Sequence, residues 1–414
     1  GRMAGDALTL HASTLSNEGL WQGAHGLALT GDTVSAGAAS RTLSGGALTL
    51  DAGQLITRGT VQGQQIEVAA DGWNNTGAVL SLGELHASVG NTLTSSGSLT
   101  SQGALDLNAQ TLDNRGQILS DGNVVLSGQA LKNQGTIQGS TLALRQNSIR
   151  NDGTLTGVQA LTVGATPRLA GRMLMAMATP AKELINGANG SLLTRGTLDI
   201  RGDAVTNNGL WQGQTILLNA QSLTNKGTVQ SAGDAQFTLT DSLTGTAGST
   251  LTAQGSAALH ALALTNQGTW TAKNLTLSGN TLNNSGAVSG VNGLTVTLND
   301  ALTQQKNGAL LSGGALSLNA ASVTNAGKLQ GAGVDITTGT LTNSGRVQGD
   351  SGATLRVRGT LANNAGGEIV SGAGLTVTAP TLMNYGLIQG GGDTRLDATT
   401  QARNDGKLLS GANM

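Results

Sequence analysis

"LTNKGTVQS" runs from Leu223 to Ser231, and the phrase returns as "LTNQGTWTA" from Leu264, "VTNAGKLQG" from Val323 and "LTNSGRVQG" from Leu341. Weaker copies begin at Leu112, Leu131 and Ile149. Following its glycine along the chain gives a beat of 18 to 22 residues, through Gly97, Gly116, Gly135 and Gly153 in one half and Gly209, Gly227, Gly248 and Gly268 in the other. Gly209, Gly268, Gly327 and Gly386 stand 59 residues apart, so a unit of three unequal periods is itself repeated. A fixed short period of this kind marks a solenoid, in which each repeat buries its apolar face only against its neighbours.

Between the phrases the apolar residues alternate, as in "GALTLDAGQL" from Gly46 and "GALSLNAASV" from Gly314. That is the period of a strand with one face buried. Turn residues bound each run, which predicts strands of three to five residues. The period is too short for a propeller blade, and no long amphipathic stretch supports a helical solenoid. The sequence therefore reads as all-β, a parallel β-helix of about 20 coils of 18–22 residues. At roughly 4.8 Å per coil the expected rod is on the order of 95 Å long.

An asparagine two residues before the marker glycine recurs at Asn114, Asn133, Asn151, Asn207, Asn225, Asn266, Asn284, Asn325, Asn343, Asn364 and Asn384, among others. Stacked amides can hydrogen-bond up such a column, and Asn and Gly both tolerate the left-handed backbone expected at a sharp corner. "GLWQG" occurs at Gly19 to Gly23 and again at Gly209 to Gly213. Trp21, Trp211 and Trp270 occupy the aliphatic slot held elsewhere by Val229, Leu329 and Ile388, and Trp73 replaces the leucine that opens the phrase. All four indoles are expected in inward columns, as scaffold and not as a stacking platform for a ligand.

Composition narrows the function. Glycine is 64 of 414 residues, charged residues are 11%, aromatics 1%, and cysteine is absent. A net charge of −1 offers no phosphate-neutralising excess, which argues against nucleic acid as a partner. The most apolar stretch, "RLAGRMLMAMA" from Arg168, is too short to span a bilayer and carries two arginines, so the chain reads as not membrane-spanning. No charged, apolar, small-residue series opens the sequence, so a secretion signal is expected to be missing or removed with flanking sequence.

The rhythm fades between Gly153 and Gly209, dividing the chain into a repeat block over 1–164, an irregular junction or degenerate coils over 165–190, and a second block over 191–414. Thr166-Pro167 and Thr179-Pro180 each resemble a helix start. Gly171 and Gly190 instead continue the beat, and Met173, Met175 and Met177 alternate like an inward strand face, which favours degenerate coils. The charged side chains here, Arg168, Arg172, Lys182 and Glu183, are the candidate partner contacts.

No spacing carries catalytic or metal chemistry. His11, His25, His86 and His260 are scattered, without HxxxH or CxxC patterns, so no metal is expected. Glu67, Glu84, Glu183 and Glu368 are isolated in sequence, whereas glycosidic cleavage uses paired acids. No catalytic residue and no cofactor is expected.

The "LTNxGxLQG" and "LxLxAxxLxN" phrases resemble the haemagglutinin repeats of filamentous haemagglutinin-type exoproteins of Gram-negative two-partner secretion systems. "GNTLNNSGAVSG" from Gly279 and "GGALSLNAASVTNAG" from Gly313 are most similar to the stalk of contact-dependent growth inhibition effectors. The resemblance covers nearly the whole chain and is weakest over Thr166 to Gly190. It implies a right-handed β-helix filament, exported through an outer-membrane transporter, secreted to the cell surface, and used to reach a receptor protein or glycan on a neighbouring cell. No secretion domain or toxin-like end is visible, and the sequence reads as a central fragment whose ends further coils cover. The expected function is a non-enzymatic stalk segment that presents or forms a receptor-binding surface; the alternative is a polysaccharide-processing β-helix enzyme.

Overall fold

The structure, a computed structural model, describes residues 1–164 and 180–414. These form two compact units, Gly1–Gln214 and Thr215–Met414, so the units divide inside the second repeat block. Each unit is an all-β, right-handed parallel β-helix without a helix among its described residues.

Each coil has three strand positions. In the second unit, Leu223 to Asn225 leads through a corner to Thr228–Ser231, then through another to Ala235–Gly245, whose end opens the next coil. All pairing is parallel and joins like position to like position: Leu264 lies opposite Leu282, and Thr269 opposite Ala287. Strands are often longer than the three to five residues expected. Thr136–Asn151, for example, continues around its corners, because the neighbouring coil turns at the same places and keeps offering backbone partners.

In-register stacking turns the sequence repeat into columns. In the first unit Leu112, Leu131, Ile149, Leu184 and Val205 face one another in turn, all almost fully buried. A second column, Leu99, Ile118, Ile137, Leu155 and Leu192, is topped by Trp211. The interior is therefore a set of thin aliphatic stacks, which is why so few aromatic residues suffice. Trp21, Trp73, Trp211 and Trp270 are all buried in inward positions, as expected.

The asparagine column exists and does two jobs. Asn114 donates to Asn133, Asn133 to Asn151, Asn151 to Asn186 and Asn186 to Asn207, at 2.8 to 2.9 Å. In the second unit the run Asn325, Asn343, Asn363, Asn384 and Asn404 is bonded the same way at 2.7 to 2.8 Å. The amide oxygen also accepts the N–H of the corner glycine, as at Asn266 and Gly268, closing the corner locally. The member near residue 363 is Asn363; the expected Asn364 lies outside the column, because this corner is longer. Asn186 and Gln304 also belong to the column, although neither stands two residues before a marker glycine.

Longer corners recur after Ala36, Asn186, Gly245, Gln304 and Asn363, each closed by a turn bond such as Ser249 N–H to the Thr246 carbonyl. Gly248 sits here with φ +80°, and Gly366 with +82°, so these two glycines do serve a left-handed backbone. The ordinary marker glycines do not. Gly116 has no such φ; instead a Cβ there would stand 2.0 Å from the carbonyl oxygen of Gly97 in the coil below. Close approach of stacked corners, and not backbone handedness, demands glycine at that position.

The ladder closes on either side of the interruption. Ser148 to Asn151 pair directly with Glu183 to Asn186, and Thr154 with Ser191. The coils of Gly153 and Gly190 are thus paired directly with each other. Gly171, Met173, Met175 and Met177, and the helix starts read at Thr166 and Thr179, lie outside the described residues.

Candidate functional site

Because the inward columns are filled by aliphatic and amide side chains, chemistry is left to outward positions. Among the described residues, every buried polar side chain is Asn, Gln, Ser or Thr, and none is charged. Outward residues of successive coils stand one strand spacing apart, about 4.8 Å, so any surface cluster is assembled from residues about a coil apart in sequence.

One such cluster is made. Glu67, His86 and Asp106 occupy the same outward position on three consecutive coils, and the His86 Nε2 lies 3.2 Å from an oxygen of Glu84. All four are exposed, on a flat strand face beside a shallow trough that includes Thr49 and Ser88. Reading along the chain missed this group because its members are far apart in sequence; aligning the coils by their marker glycines puts His86 and Asp106 at one offset but leaves Glu67 one residue short of it. The trough is open to solvent, with no wall to exclude water, and among the described residues no group of three or more His, Asp or Glu side chains is placed to hold a metal ion. The other histidines are separate: His25 contacts Asp6 and His260 bonds Ser278, while His11 faces Thr30 of the next coil.

Charges elsewhere pair between neighbouring coils, as Arg346 does with Glu368 and Arg356 with Asp335, or form brackets across asparagine corners. Asp113 and Arg115 flank Asn114 and pair at 2.9 Å, Arg150 and Asp152 do so across Asn151, and Arg403 and Asp405 across Asn404. The hydrogen bond to Asp113, then its charge, raises the pKa of Arg115, and Asp405 does the same for Arg403. Arg403 also lies over the Tyr385 ring, 5.6 Å from its centre. These contacts satisfy surface charge, and among the described residues no charged side chain is buried.

Of the candidate partner contacts, Lys182 and Glu183 are adjacent and exposed on Ala181–Asn186. Arg168 and Arg172 lie outside the described residues. Among the described residues no helix is long and apolar enough to cross a membrane.

Fold and repeat together define a haemagglutinin-repeat solenoid of the filamentous haemagglutinin type, and the haemagglutinin repeat family matches residues 65–166 and 338–414. More particularly, the chain is similar to repeat-bearing segments of the CdiA proteins. It is 47% identical over 414 residues to the tRNA nuclease CdiA of Escherichia coli, covering all of this chain and 12% of that relative. It is 48% identical over 328 residues to the 16S rRNA endonuclease CdiA of Enterobacter cloacae, covering 79% of this chain and 10% of the relative. The deoxyribonuclease CdiA of Dickeya dadantii is 35% identical over 355 residues, with 79% and 10% covered. The chain thus spans about an eighth or less of the length of these curated relatives. No solved structure matches it.

Proposed function

We propose that this chain is a stalk segment of a secreted, surface-displayed exoprotein of a Gram-negative bacterium, serving contact-dependent growth inhibition or adhesion. The carrying observation is that one haemagglutinin-repeat segment recurs at 35% to 48% identity in relatives named for cleaving tRNA, 16S rRNA and DNA. A segment shared by proteins with three different targets does not choose the target, which favours a structural and non-enzymatic role. The fold suits it: stacked coils extend in one direction, and each coil needs only its neighbours.

In this reading the segment passes an outer-membrane transporter during export and presents or forms a surface met by a receptor protein or glycan on a neighbouring cell. Arg168, Arg172, Lys182 and Glu183 are the proposed contacts. The test is binding of the purified segment to receptor-bearing outer membranes. Saturable binding weakened by Lys182→Ala and Glu183→Ala supports receptor contact, whereas no saturable binding leaves a stalk that carries its receptor surface elsewhere. Turnover of an acidic glycan from a panel would instead favour the polysaccharide-processing alternative.

A further inference from the structure

The coil containing Gly153 is split, and its two halves fit the neighbouring coils with unusual economy. On the side below, Leu144 faces Val163 and Ser148 faces Glu183, which leaves Arg145, Gln146 and Asn147 between these two pairs. On the side above, Val163 faces Ile200 and Glu183 faces Ala204, which leaves Arg201, Gly202 and Asp203. Each neighbour thus offers three positions, and three residues of the split coil fill them: Gly164, Ala181 and Lys182. Direct contacts agree. The Gly164 N–H donates to the Leu144 carbonyl, a Cβ on Gly164 would meet the Arg201 carbonyl, and Ala181 faces Gly202. Gly164 and Ala181 therefore hold consecutive ladder positions although sixteen residues, 165–180, separate them in sequence.

We infer that the ladder is complete when Gly164 is followed by Ala181, so that this coil needs none of the residues numbered 165–180. Both flanks keep the register they would have in an unbroken strand, so the interruption imposes no slip on the coils around it. The chain leaves the ladder at Gly164, whose φ of +80° turns the backbone out of the strand direction at little steric cost. The inference stands apart from the receptor reading, but it divides the proposed contacts: Arg168 and Arg172 belong to the removable length, and Lys182 and Glu183 to the scaffold.

Register makes this testable with two deletions in the 414-residue chain. Removing 165–180 joins Gly164 to Ala181 and should leave the far-ultraviolet β signal unchanged and the thermal midpoint within about 3 °C of the parent. Removing 165–181 takes one residue more and shifts the following strand by one position, which drives Lys182 into the inward slot of Ala181 and Leu184 outward. That variant should lose its cooperative transition or melt more than about 10 °C lower. Loss of folding on removal of 165–180, or equal tolerance of both deletions, overturns the inference. Receptor binding is a separate readout: a well-folded 165–180 deletion that binds like the parent counts against Arg168 and Arg172 as contacts and leaves the Gly164–Ala181 join intact.

Discussion

The indole nitrogen of Trp270 stands 2.8 Å from where a Cβ on Gly245 would be, one coil below. Gly245 holds the column place that Asn266 and Asn284 hold in the next two coils, so the amide ladder is interrupted where the large ring needs room. The Trp270 N–H has no hydrogen-bond partner, which marks the pair as a packing solution and not a polar one.

Gly245→Ala should therefore destabilise the protein by about 1–3 kcal/mol through overpacking, and Trp270→Leu by about 2–4 kcal/mol through the cavity it leaves. Combining Gly245→Asn with Trp270→Leu should recover part of the loss, with a coupling on the order of 1 kcal/mol in a double-mutant cycle from urea unfolding. Strict additivity would contradict the complementarity.

The ladder itself is open to a pH test at Asn343, which accepts from Asn325 and donates to Asn363 and to the carbonyls of Gly345 and Glu368. Asn343→Asp keeps the shape but, once ionised, turns a carboxylate oxygen toward three acceptors. Burial and those acceptors raise the folded-state pKa of the new carboxyl above its unfolded value, near 4. The folded form then holds its proton more tightly, so the variant should approach parental stability below about pH 4 and lose it as pH rises through the raised pKa. An unfolding midpoint that tracks the parent from pH 4 to 8 would refute this.

Gln146 is buried with neither amide atom hydrogen-bonded, between Gly128 below and the place taken by Ala181 above. Replacing it by methionine, of similar length, removes an unsatisfied polar group and should stabilise by about 1–2 kcal/mol. The measurement is a higher urea midpoint at unchanged slope; a lower midpoint would show that the amide has a partner in solution.

Intrinsic fluorescence reports on the inward columns. With Trp21, Trp73, Trp211 and Trp270 all buried, the native protein should emit well to the blue of free tryptophan and resist quenching by acrylamide. Both properties should be lost together on unfolding. A native Trp211 emission typical of full exposure would place that ring outside the column.

Much of this organisation is legible in the residues. The period, the alternation at "GALSLNAASV" and the recurring Asn specify coils, inward faces and an amide column, because in a parallel stack every position meets its own counterpart. The same logic placed the tryptophans correctly. It failed at Asn364, where a longer corner moves the column place to Asn363, and at Asn186 and Gln304, which a fixed offset from glycine does not find. It also misjudged why the marker residue is glycine: left-handed corners and crowded corners leave the same trace in one sequence.

The sequence by itself determined the local rule, a coil of short strands with alternating inward apolar residues and a polar corner, since side-chain alternation and turn chemistry are short-range properties. Only the tertiary structure decided which coil stacks on which. Glu67, His86 and Asp106 become neighbours, Gly245 makes room for Trp270, and Gly164 and Ala181 become consecutive, through hydrogen bonds between residues a coil or more apart. A beat in glycines counts residues, whereas a ladder counts backbone partners, and across 165–180 the two counts part.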